Sequence, residues 1–152
     1  MQKIHAKQAL TSSGWESSIE ILVSNDGRIE AIAPQTGSPD TSVDLALPAP
    51  TNLHSHTFQR AMAGLTETRG PDPKDSFWTW RRLMYRFLER LTPDHIEAIA
   101  ALAFIEMLEA GFGAVAEFHY LHHDADGTPY SDLAELSMRI FSAARETGIG
   151  LT

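Results

Sequence analysis

Between residues 19 and 33 apolar side chains recur at every second position: Ile19, Ile21 and Val23, then Ile29, Ala31 and Ala33, divided by Asn25-Asp26-Gly27. Successive side chains of an extended chain point to opposite faces, so a period of two predicts strands. An Asp-Gly between two such runs predicts a hairpin. Pro34 to Asp40 is loop by composition, and residues 1–47 as a whole read as β structure. The pattern then changes. Leu45 to His56 predicts a short buried strand ending at two histidines. Gly64, Gly70, Pro71 and Pro73 predict a long loop over 57–75, with one helical turn near Phe58 to Leu65. Phe77 to Leu88 reads as a helix capped by Asp75 or Ser76. Thr92 is a good N-cap with Pro93 at the first helical position, where its missing N–H does no harm. Ile96, Ile99, Ala100, Ala103, Phe104, Met107 and Leu108 then share one helical face, and Gly111 stops the helix. Gly113 to Tyr120 predicts a second strand. Ser131 is expected to cap a third helix with Leu133, Leu136, Ile140, Phe141 and Ala144 inward and Gly148 at its end. Ile149 to Thr152 opens a third strand.

The order strand, helices, strand, helix, strand predicts an α/β architecture of parallel strands with helical crossovers. In such folds chemistry collects at the carboxyl ends of the strands. His54 and His56 fall at the end of the first strand and Tyr120 at the end of the second. The chain stops at Thr152 inside an apolar run, and 152 residues are fewer than the roughly 250 of a closed (β/α)₈ barrel. The expectation is the amino-terminal part of a longer protein; a small open α/β domain is the alternative.

Composition narrows the chemistry. The formal net charge of -8 argues against nucleic acid and anionic membrane as partners, though a few local arginines can still bind a small anion. The absence of cysteine removes thiolate nucleophiles and leaves His, Asp and Glu as metal ligands. The start of the chain has no signal-peptide core, and no apolar run has the length of a spanning helix. A soluble cytoplasmic protein is the default expectation.

The candidate chemistry centres on Asn52-Leu53-His54-Ser55-His56. Residues two apart on a strand share a face, so both imidazoles can converge on one cation. Two ligands fall short of the three or so that a catalytic zinc takes from protein. An HxH can also arise by chance among 7 histidines. Arg81 and Arg82 fit solvated helix charges, Tyr120 a half-buried strand-end aromatic, and Gln59 a turn cap. Trp78 and Trp80 read as packing residues. His119, His122 and His123 lie beside Asp124 and Asp126 in a polar loop and are not assigned as ligands. Glu117 sits among apolar residues, and a buried carboxylate there needs a partner that the sequence does not name.

The HxH before Phe58-Gln59-Arg60-Ala61, with Gly27-Arg28-Ile29 upstream, resembles the amidohydrolase superfamily. Three further segments narrow the resemblance to the formimidoylglutamate deiminases: Phe58 to Thr66, Asp75 to Arg81, and Ala116-Glu117-Phe118-His119-Tyr120. The resemblance implies the amino-terminal part of a (β/α)₈ metal-dependent hydrolase barrel preceded by a small β-sandwich segment. Residues 1–47 would form the β-sandwich segment and residues 48–152 the first βα units. It implies zinc-dependent hydrolysis of N-formimino-L-glutamate to N-formyl-L-glutamate and ammonia, and a homodimer for the full-length protein. His54 and His56 match the first two zinc ligands; Gln59, Arg81 and Tyr120 match substrate-holding positions. The remaining ligands and the catalytic acid and base match no position in this chain. Two other readings stay open: a deaminase of a purine or pyrimidine ring, and a non-catalytic barrel remnant.

Overall fold

The computed structural model describes residues 1–66 and 76–152. The chain divides into two units, Met1–Pro48 and Ala49–Thr152. Asp75, one of the two expected helix caps, and the loop expected over its last nine positions, 67–75, lie outside the described residues.

The first unit is a four-stranded sheet of β1 (Gln2–Thr11), β2 (Gly14–Val23), β3 (Ile29–Pro34) and β4 (Thr41–Ala46), in the order β3-β2-β1-β4. β1 pairs antiparallel with β2 and parallel with β4. The Asp-Gly hairpin forms between β2 and β3, closed by Gly27 N–H donating to Ser24 O at 3.0 Å. Ala6, Ala9 and Ile19 are its buried residues, with Ile21, Val43 and Ala46 packed on them. Alternation places Glu20 on the polar side, yet it is only 5% exposed and one carboxylate oxygen has no partner. The expected strand from Leu45 to His56 is two strands: Leu45 belongs to β4, and the next strand begins at Thr51. Pro48 and Pro50 lie between them, and proline cannot donate to a ladder.

The second unit holds β5 (Thr51–Ser55), a 3₁₀ turn (Thr57–Met62), α1 (Phe77–Leu88), α2 (Pro93–Glu109), β6 (Ala114–Glu117), α3 (Glu135–Thr147) and β7 (Gly150–Leu151). β5, β6 and β7 form a parallel sheet in that order. Parallel pairing of strands joined by helices is the α/β arrangement that the alternation of patterns predicts. The second strand is shorter than expected and ends at Glu117. Phe58, Met62, Met84, Ile96, Ala100, Phe104, Val115, Leu136 and Ile140 make the core. Among the described residues no helix is long and apolar enough to cross a membrane.

Helix boundaries follow local chemistry. Thr92 Oγ1 accepts from His95 N–H at 3.3 Å, and the His95 ring accepts from Thr92 N–H. Ser76 N–H donates to Thr79 Oγ1 at 3.0 Å at the start of α1. The third helix departs from expectation. It starts at Glu135, and Asp132 rather than Ser131 organises its approach, its Oδ1 accepting from Ala134 N–H at 2.8 Å. Leu133 therefore precedes the helix and is 71% exposed, and Phe141 is 53% exposed instead of inward. Gly148 ends the helix at φ +84°, a conformation that suits glycine.

At the amino ends of the three parallel strands the chains approach closely where glycine lies against alanine. A Cβ on Gly113 would stand 2.9 Å from Ala49 Cβ, and one on Gly150 would stand 3.1 Å from Ala114 Cβ. The bulky polar and aromatic side chains gather at the opposite, carboxyl ends.

Candidate metal and substrate site

His54 is the fourth residue of β5, and His56 follows the strand directly. Asn52 Oδ1 accepts from His54 N–H at 3.2 Å, and Asn52 Nδ2 reaches Met107 Sδ on α2 at 3.6 Å. The two rings meet edge to face with centroids 4.6 Å apart, and their Nε2 atoms are 3.1 Å apart. The His56 Nδ1–H donates to the Phe118 carbonyl at 2.9 Å. In a neutral imidazole that assignment leaves Nε2 as a lone pair. The two Nε2 atoms, each about 2.05 Å from one zinc ion, would subtend roughly 100° there, near the tetrahedral angle. The pair therefore fits two of the ligand positions of a divalent metal. Among the described residues no group of three or more His, Cys, Asp or Glu could hold a metal ion.

The segment after His56 turns sharply into the 3₁₀ helix. Thr57 is 2% exposed. Its N–H and its hydroxyl both donate to Glu117 Oε1, at 2.7 and 2.9 Å. This answers the question of the Glu117 partner, which sequence reasoning left open. The other oxygen, Oε2, is buried without a partner. Arg60 grips Glu106 on α2 through two contacts of 2.6 Å.

Gln59 and Tyr120 come together: Gln59 Nε2 donates to the Tyr120 hydroxyl at 3.1 Å. That hydroxyl points on to Met84 Sδ at 3.8 Å. The Tyr120 ring lies edge-on to His56 at 5.1 Å and to Phe58 at 5.2 Å. On its other side Tyr120 lines a cavity of about 310 Å³ with Tyr85, Leu88, Leu121, His122 and Leu136. Arg81 sits one turn before Met84 on α1. Its guanidinium lies over the Trp78 and Tyr85 rings at 5.6 and 5.3 Å and donates to the Tyr85 hydroxyl at 2.9 Å. Among the described residues no salt bridge engages it. Trp78, expected to pack, is 63% exposed and serves as a platform for that charge, while Trp80 packs on the core.

The His119 ring meets the His122 ring edge to face at 5.4 Å. Burial, with a smaller contribution from His122, pushes the His119 pKa below the usual imidazole value and favours the neutral ring. His122 and His123 are exposed.

The family model for the N-terminal domain of formimidoylglutamate deiminase HutF matches residues 1–40. A formimidoylglutamate deiminase of Pseudomonas aeruginosa is 54% identical over 155 residues, covering 100% of this chain and 34% of that protein. An amidohydrolase from Brucella melitensis superposes with a TM-score of 0.92 at 47% identity, over 100% of this chain and 34% of that one. Atrazine chlorohydrolase TrzN from Arthrobacter aurescens TC1, solved with zinc, shares the fold with a TM-score of 0.72 at 19% identity, over 99% of this chain and 34% of its own. The chain spans about a third of the length of the relatives it matches. In sequence the chain is similar to a formimidoylglutamate deiminase, and in fold to an amidohydrolase, along about a third of the length of each.

Proposed function

We propose that this chain carries part of the active site of a zinc-dependent enzyme that hydrolyses N-formimino-L-glutamate to N-formyl-L-glutamate and ammonia in the cytoplasm. The observation that carries the reading is the convergence of His54 and His56 Nε2, with the His56 tautomer set by the Phe118 carbonyl. His54 and His56 are two of the metal ligands. The chemistry such a bound divalent metal would supply is an acidified water at neutral pH, suited to the poorly electrophilic formimino carbon. The chain's own polar side chains then position the substrate. Arg81, seated over two aromatic rings and without a carboxylate partner among the described residues, suits a two-pronged bond to a glutamate carboxylate. Gln59 and Tyr120 supply neutral hydrogen bonds that orient the substrate without adding charge. Residues 1–47 form the β-sandwich segment and residues 48–152 the first barrel units, and the whole enzyme is a homodimer.

The test is ammonia release by the full-length protein from N-formimino-L-glutamate, set against purine and pyrimidine rings. The expected result is turnover of the formimino substrate alone, lost on chelation and restored by zinc, and lost in His54→Ala and His56→Ala. Turnover of a ring substrate instead, or full activity in His54→Ala, would overturn the reading.

A further inference from the structure

Residues 55, 56 and 57 are each bonded to residues 117 or 118. Phe118 N–H donates to Ser55 O at 2.9 Å, His56 Nδ1–H donates to Phe118 O at 2.9 Å, and Thr57 donates twice to Glu117 Oε1. The first of these bonds continues the β5–β6 ladder, where Ser55 registers with Glu117. The other three lie beyond it, at the turn that carries His56. A histidine ring has two torsions to fix. The Phe118 carbonyl fixes the direction of Nδ1, but only if the backbone at 56 stands at the right height above β6. Glu117 sets that height by holding the next residue along the chain through both its backbone and its side chain. The arrangement is expensive in isolation: a carboxylate sits in a water-poor place with one oxygen left unpartnered. A purely structural turn needs no charge there, since a neutral acceptor would satisfy Thr57. A charged acceptor makes shorter and stronger bonds, and so a stiffer turn.

We infer that Glu117 and Thr57 are positioning residues for the metal site: their paired hydrogen bonds hold the His56 ring at the angle at which its Nε2 faces that of His54. The inference rests on the proposed role of the two histidines as ligands. Groups that orient a metal-bound histidine without touching the metal typically change metal affinity by about 10- to 100-fold when altered. Glu117→Gln keeps an acceptor for Thr57 and loses the charge. Thr57→Val keeps the backbone donor and loses the hydroxyl, and Thr57→Ser keeps both donors.

The experiment measures Zn²⁺ and Co²⁺ affinity by chelator competition in the full-length protein, together with the visible spectrum of the Co²⁺ form and the thermal midpoint of the metal-free protein. Glu117→Gln and Thr57→Val are expected to weaken metal binding by about tenfold and to alter the Co²⁺ spectrum. Thr57→Ser is expected to match the parent protein. Unchanged affinity and spectrum in Glu117→Gln and Thr57→Val would overturn the inference. So would a drop in the metal-free midpoint without any change in affinity or spectrum, since the contact would then be structural only. His56→Ala separates the two claims: if it binds metal as the parent does, the ligand assignment itself falls, whereas its failure to bind alongside normal Glu117→Gln and Thr57→Val rejects the positioning role alone.

Discussion

Tyr120 joins three things through one side chain: its hydroxyl accepts from Gln59, the same hydroxyl faces Met84 Sδ, and its ring edge packs on His56. Replacing it with Phe keeps the ring packing and deletes the hydroxyl. A neutral hydrogen bond contributes about 0.5–1.5 kcal/mol, so on the proposed function Tyr120→Phe in the full-length protein is expected to raise KM for N-formimino-L-glutamate about three- to tenfold, with kcat nearly unchanged. Steady-state kinetics would check it, and a fall in kcat with KM constant would contradict a ground-state positioning role. At this scale the sequence was readable where periodicity does the work. His54 and His56 share a face because strands repeat every two residues. Thr57 and Glu117 were not readable as a pair, since they are 60 residues apart and nothing local in either one requires the other.

Helix α2 shows how local signals and packing combine. Thr92 and Pro93 mark its start in the sequence and do so in the structure, and the buried Ile96, Ala100, Ala103 and Phe104 are the positions its period of 3.6 selects. Thr92→Ala is expected to destabilise by about 1 kcal/mol, since His95 N–H loses its acceptor. Phe104→Ala is expected to destabilise by about 3–5 kcal/mol through lost contact and a residual cavity. Ser131→Ala should stay within about 0.5 kcal/mol, because that hydroxyl does not cap α3. Urea denaturation midpoints would rank the three. The start of α3 was misread for a physical reason: Ser131 and Asp132 are both good caps by type, and the Asp132 carboxylate instead closes a turn ahead of the helix. Phe141 was misplaced because a face deduced from period alone does not say how wide the contacting surface is.

At the scale of the molecule, α2 and α3 are tied by Arg139, which reaches Asp94 and Glu97 on one helix and Glu135 on its own. Hydrogen bonds from Ser142 and Arg139 hold the Glu97 carboxyl below its usual value of 4.5. A carboxyl depressed in the folded state favours folding above its unfolded pKa, and that contribution is lost as pH falls through the lower folded value. Stability should therefore decline below about pH 4.5, and Glu97→Gln should flatten that decline while lowering stability near pH 7. Urea midpoints taken from pH 7 to pH 3 would check both signs. The α/β class was legible because the apolar period switches from two to 3.6 and back along the chain. The parallel pairing of β1 with β4 was not, since that ladder joins segments separated by a hairpin and a loop.

Ala49, Gly113, Ala114 and Gly150 crowd one end of the parallel sheet, and the imidazoles, carboxylate and phenol occupy the other. The two poles therefore constrain evolution differently. At the first, an extra methyl group on Gly113 or Gly150 is itself the injury, because it would press on the Cβ of Ala49 or Ala114. At the second, what a substitution removes is a hydrogen bond or a ring nitrogen, a loss of chemistry and not of room.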